Sequence, residues 1–251
     1  MSARGKFAAK ALTFLALLLY ALFLFLPQAR RERAILQGDR HLIAGRYQQA
    51  FESYLEAETV SPGDWRVQNR LGRVMDQIRS YPKAWQLYLR ALEFSPDNLE
   101  VMACLSRSYY LAGRPELAKP VLLDILRIDP ANFEALLLLG EVEYALGGAV
   151  KARLWVSKVL EHNPYHYGAH GRLGHFWQKD DLHKAVESYG DCLRSGANPA
   201  WQRVALSQLA SLHAALGRPE QARLAEQHLK ALDGEPEQQA EVRKEFLDLD
   251  F

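Results

Sequence analysis

Cysteine is scarce in this chain: only Cys104 and Cys192 occur in 251 residues. They lie far apart, so no disulfide framework and no paired zinc-ligand spacing exists. Charge of one sign is missing too. Lys plus Arg total 31 against 30 for Asp plus Glu, a net of +1, which supplies no field to hold a nucleic acid. There is no phosphate-binding glycine loop, no H-E-x-x-H and no G-x-S-x-G, so the common signatures of nucleotide, zinc-protease and serine-hydrolase chemistry are absent. These absences point away from an enzyme and away from any cofactor or small-molecule substrate. Half of the residues are apolar, and that excludes a disordered chain.

One long hydrophobic run is present. Ala11 to Leu26 (ALTFLALLLYALFLFL) carries no charge, and apolar character reaches back to Phe7, with Lys10 able to snorkel. The length from Phe7 to Pro27 matches the roughly 20 residues that span a bilayer. Residues 1–10 then form a basic stub and 11–27 a transmembrane anchor. A cleaved secretory signal is the alternative, but Pro27-Gln28-Ala29 puts proline where a small residue is wanted, and Arg30 and Arg31 come directly after. Orientation is balanced, because Arg4, Lys6 and Lys10 precede the run while Arg30, Arg31 and Arg33 succeed it. The order of basic stub and apolar run favours export of the remaining chain, placing the anchor in a bacterial inner membrane with the rest on the periplasmic side.

Beyond the run, prolines fall at Pro62, Pro96, Pro130 and Pro164, a constant step of 34. Chance would give three further hits at one step roughly once in ten thousand. Alanines keep the step at Ala50, Ala84, Ala118 and Ala152, then slip slightly to Ala185 and Ala222. Small residues stand at Gly38, Gly72, Ser106, Gly140 and Gly174, then Ala210, and turn glycines at Gly45, Gly113, Gly147 and Gly217. The order of small residue, turn, alanine, aromatic or large apolar residue and proline resembles the tetratricopeptide repeat. Leu71-Gly72, Ala84, Tyr88, Ala91 and Pro96 show it most fully.

The resemblance implies an all-α fold: a right-handed α-solenoid of about six helix-turn-helix repeats, preceded by one transmembrane helix. The repeats cover 31–233 (31–64, 65–98, 99–132, 133–166, 167–199 and 200–233), and 234–251 forms an acidic amphipathic cap or partner-docking helix. Small residues are expected where two backbones approach closely. Tyr47, Leu71, Tyr88, Leu105, Leu122, Leu139, Val156, Leu173 and Tyr189 are expected to fill the core between helices. The fifth repeat loses one residue near Asp180-Asp181.

In this family the first helix of each repeat lines a concave, protein-binding surface, through the second, fifth, ninth and twelfth places of the unit. Carried across, these are Arg66, Asn69, Arg73 and Asp76; Glu100, Arg107 and Tyr110; Glu134, Glu141 and Tyr144; and His175 and Gln178. Tyrosine and arginine there suit anchoring of an extended peptide or a helix. The family's clamp for chaperone tails is disfavoured, since Cys104, Glu134 and Leu138 stand where Asn, Lys and Arg are wanted. Five histidines crowd between His162 and His183, and His166 and His170, four apart, are weak metal candidates. With no acid or thiol at matching spacing, solvated or groove-facing histidines are the simpler reading. The sequence therefore predicts a membrane-anchored scaffold or adaptor that binds other proteins, in assembly of a membrane or envelope complex. A cytosol-facing client receptor and a metal-binding enzyme are the alternatives.

Overall fold

The computed structural model describes residues 26–232. The expected anchor, but for Leu26 and Pro27, and the acidic segment 234–251 lie outside the described residues. Among the described residues no helix is long and apolar enough to cross a membrane.

These residues form helices and turns, with no strand among them. Helix α1 is described over 26–43. After it come α2 (Tyr47–Val60), α3 (Trp65–Gln77), α4 (Tyr81–Phe94), α5 (Leu99–Leu111), α6 (Pro115–Ile128), α7 (Phe133–Ala145), α8 (Ala149–His162), α9 (Tyr167–Trp177), α10 (Leu182–Arg194), α11 (Pro199–Ala215) and α12 (Pro219–Ala231).

The 34-residue proline step has a local cause. A residue that precedes proline is pushed out of the helical region. Ser61, Ser95 and Asn163 stand before Pro62, Pro96 and Pro164, with ψ of 80°, 79° and 89°, and each ends its helix. Two residues after each proline comes the cap of the next helix. Asp64, Asn98, Asn132 and His166 accept backbone amides of α3, α5, α7 and α9 through their side chains. Each such cap is worth about 1 kcal/mol. At the other end of the first helix of a repeat, Gly45, Gly113, Gly147 and Gly217 take φ between +70° and +85° and close the helix with paired backbone bonds. In the second repeat Arg79 occupies that place, at φ +58°, and makes the same closure.

The chain divides into two compact units, Met1–Arg114 and Pro115–Phe251. In the first, α2, α3 and α4 each pack on the next helix in the chain, and α3 also touches α5. The second repeats this from α6 to α12, with α9 touching both α7 and α11. Packing on the next helix and on the next but one is the α-solenoid pattern within each unit.

The small residues work differently from the expected close backbones. A Cβ at Gly38 would lie 2.4 Å from the Tyr54 ring, one at Gly72 2.6 Å from Tyr88, and one at Gly174 2.8 Å from Tyr189. Each glycine on the first helix thus makes room for an aromatic ring from the second, which a backbone-distance argument does not anticipate. Gly140 is nearer the expectation, with Val156 at 2.6 Å and the Ala152 carbonyl at 3.2 Å. The alanine row is buried throughout, as are Leu71, Leu105, Leu122, Leu139 and Val156. Tyr47 and Leu173 are only half-buried. Burial of a side chain as large as Tyr54 or Tyr88 contributes on the order of 2 kcal/mol.

Candidate protein-binding face

In the first unit the site is built from α3 and α5. The Asp64 carboxylate caps α3 by accepting the Arg66 amide at 3.0 Å, and the Arg66 guanidinium folds back onto it at 2.8 Å. Glu32 and Arg31 complete a cluster of four charges around the helix start. Burial alone would raise the Asp64 carboxyl. The hydrogen bonds from Arg66 and the charges of Arg66 and Arg31 outweigh it and hold the group below the usual carboxylate range.

Two other expected face residues are also engaged. Asn69 is 0% exposed and donates from Nδ2 to Glu100 Oε1 at 2.9 Å, linking α3 to α5. Asp76 accepts the Tyr88 hydroxyl at 2.7 Å and the Ser108 hydroxyl at 2.6 Å, while Trp85 Nε1–H donates to Ser108 Oγ at 3.0 Å. Burial pushes the Asp76 carboxyl up, with the two hydroxyl bonds opposing. Asp76 is accordingly a bracket joining α3, α4 and α5.

Arg73 and Arg107, at the ninth place of their repeats, are exposed. Both act electrostatically on Cys104, which lies half-buried on α5. Burial is the largest influence and lifts that thiol to about 11; the two arginines pull it down, and Glu100 and Asp76 push it up. The thiol is therefore held in its protonated, weakly nucleophilic form at neutral pH. Tyr110 is partly buried beside this row.

In the second unit Glu141, Tyr144, His175 and Gln178 contact residues of neighbouring helices. Glu141 on α7 meets Arg172 on α9 at 3.0 Å. Tyr144 stacks on Phe176 at 4.7 Å between ring centroids and lies 5.0 Å from His175, with the Lys179 ammonium 5.9 Å away. Gln178 donates to the Tyr189 hydroxyl at 3.1 Å and to Gln208 on α11. Glu134 and His175 are exposed.

The two metal candidates have other work. His166 is the cap of α9, its Nδ1 accepting the Ala169 amide at 3.1 Å. His170 turns Nε2 to the Pro164 carbonyl at 2.8 Å, with Nδ1 3.9 Å from Asp191. Among the described residues no three His, Cys, Asp or Glu side chains gather as a metal site.

Several participants keep no constant residue type from repeat to repeat. The Trp177 ring has Arg153 at 3.8 Å and Lys184 at 4.5 Å from its centre, and Trp201 covers Gly171, where a Cβ would come within 2.4 Å. Buried Glu143 pairs with Lys119 at 2.8 Å. Lys119 and Arg153, and likewise Glu143 and Trp177, stand 34 apart, so the same two places meet in successive repeats, but the residue types change and the chemistry of the contact is not marked by the step.

A sequence profile of the tetratricopeptide repeat matches residues 35–98 and 105–167, together just over half of the chain. The chain belongs to the tetratricopeptide-repeat family. No curated protein matches it in sequence. Among solved structures, pilF of Pseudomonas aeruginosa superposes with a TM-score of 0.67 at 20% identity, over 87% of this chain and 99% of that one. PilW, a widely conserved type IV pilus biogenesis factor, does so at 0.69 and 17%, over 84% and 98%. A thermophilic repeat protein of Thermus thermophilus gives 0.60 and 20%, over 71% and 98%. At such identities the likeness establishes a shared tetratricopeptide fold. Proteins of this family bind other proteins, and the chain is an interaction scaffold of that type.

Proposed function

We propose that this chain is a membrane-anchored, non-catalytic adaptor that holds a polypeptide segment of a partner on the α3–α5 face, in assembly of a membrane or envelope complex. The observation that carries the reading is the ninth-place row of the first unit. Arg73 and Arg107 stand exposed beside a half-buried, protonated Cys104, on a scaffold that Asn69 and Asp76 brace through their bonds to Glu100 and Tyr88. Two planar cations over a partly apolar floor suit a peptide that carries acidic or carbonyl groups beside an apolar side chain.

The envelope setting is supported by the apolar run 11–27 and by the fold shared with PilW, a pilus biogenesis factor. The run provides an inner-membrane anchor, and the repeats face the periplasm. Alkaline phosphatase and green fluorescent protein fused to the C-terminus separate this from a cytosol-facing receptor, since each reporter works on one side only. The absence of catalysis is supported by the high thiol pKa of Cys104 and by the engagement of His166 and His170 in a cap and a backbone contact. Stoichiometric metal lost on changing both histidines to alanine would argue for the metal alternative. For the face itself, affinity capture from membranes with the wild-type chain and with Arg73→Glu/Arg107→Glu is the test. Loss of the captured partner in the variant is the expected result; retention of every partner would end the assignment.

A further inference from the structure

Helix α1 has two faces of different character. One packs inward through Ala34, Ile35 and Gly38, which are buried. Its acids also turn to neighbours: Glu32 pairs with Arg31 and Arg66, and Asp39 accepts the Tyr54 hydroxyl at 2.6 Å and Arg70 Nε at 2.9 Å. The opposite face, at helical spacing, carries Leu26, Arg33, Leu36, Arg40 and Ile43, all exposed, and Arg46 stands in the turn beyond. Leu26 and Leu36 are each 58% exposed and Ile43 88%. Glu32 borders this face and is neutralised by Arg31 and Arg66, and a shallow depression lined by Arg33, Leu36, Gln37, Arg40, His41 and Arg46 runs along it.

Isolated exposed leucines are ordinary on a protein surface. Apolar side chains alternating with arginines on one helix face, with the bordering acids already paired to other arginines, are the pattern of an amphipathic helix lying in a lipid headgroup layer. Between residues 26 and 46 the sequence has no Phe, Tyr or Trp and a single stacking ring, His41, so a single-stranded nucleic acid, which needs a row of rings, fits this face poorly. The geometry points to an interaction surface for anionic phospholipid: Arg33, Arg40 and Arg46 engage headgroup phosphates while Leu36 and Ile43 enter the upper acyl region. This deepens the membrane reading above, but it stands on the residues of α1 itself.

The test uses the full chain with a bimane attached at Leu36→Cys in a Cys104→Ser background, Cys192 being buried. The protein is reconstituted into phosphatidylcholine vesicles or into vesicles rich in phosphatidylglycerol. The expected result is quenching by a doxyl lipid and shielding from iodide in the anionic vesicles, with the reverse in neutral ones. Adding Arg33→Glu/Arg40→Glu restores iodide quenching in both, with an unchanged melting curve by circular dichroism. Equal iodide quenching in both lipids, or shielding by added RNA and not by phosphatidylglycerol, overturns the proposal. If alkaline carbonate extracts the chain from neutral vesicles, the anchor reading fails separately. Flotation of the extracted chain with anionic vesicles then decides, and the double charge reversal is expected to weaken it by roughly 25-fold or more.

Discussion

The Tyr88 hydroxyl donates to Asp76 at 2.7 Å, so a ring seated in the notch left by Gly72 also fixes a carboxylate on the helix it packs against. Ser108 holds the other carboxylate oxygen from α5. One side chain therefore joins packing within a repeat to registry with the next. Tyr88→Phe keeps the ring and strips one donor from a partly buried charge. It is expected to cost about 1–3 kcal/mol in urea unfolding, and Tyr88→Phe combined with Ser108→Ala should cost other than the sum of the two single changes.

Asp64 and Asp76 should respond to pH with opposite signs. Asp64 is held below its ordinary value, so the folded state favours its charged form. Its contribution is present above the unfolded value and is lost as pH falls through the folded one. Asp76 is raised, so the folded state favours its protonated form, and its contribution is largest in acid and is lost as pH rises through the folded value. Urea midpoints across the acid range check this: Asp64→Asn should flatten the acid loss of stability, whereas Asp76→Asn should steepen the net loss on acidification.

Two glycines separate crowding from backbone strain. At Gly72 a Cβ meets the Tyr88 ring at 2.6 Å, and Gly72→Ala is expected to destabilise by about 1–3 kcal/mol through forced repacking. At Gly113 nothing lies within 4 Å and φ is +72°, so Gly113→Ala costs about 1 kcal/mol from the backbone alone. Arg79 already carries that backbone cost, and Arg79→Gly should relieve it with a small rise in melting temperature.

Much of the fold is legible in the sequence because its causes are local. Pro62, Pro96, Pro130 and Pro164 act on the residue just before them, and the caps lie two residues on. The αL turns announce themselves by glycine, except where Arg79 takes the place. The face is legible only in part. Repeat register separates first-helix residues from the rest, and it finds Arg73 and Arg107. It does not reveal that Asn69 and Asp76 are held by Glu100, Tyr88 and Ser108, which arrive from other helices. Arg153 and Trp177 repeat the places of Lys119 and Glu143, but the change of residue type from one repeat to the next hides the contact from any pattern of composition.

His213 on α11 is 2% exposed, and neither ring nitrogen has a hydrogen-bond partner. Burial lowers its pKa below the ordinary 6.5, and the Arg218 charge adds to this. Its folded state favours the neutral ring, so stability is full above 6.5 and is lost as pH falls from there through the folded value. His213→Leu should remove that slope between neutral and mildly acidic pH. Thermal melts of the two proteins across that range are the check.

The most direct test of partner binding on the α3–α5 face is photo-crosslinking in cells, with benzoylphenylalanine placed one position at a time in the full chain. Arg73 and Arg107 lie on the proposed face, while Leu89 is exposed on α4. Crosslinks to a discrete polypeptide from positions 73 and 107, with none from 89, are what the account predicts. Crosslinks from 89 alone, with 73 and 107 silent, would contradict it.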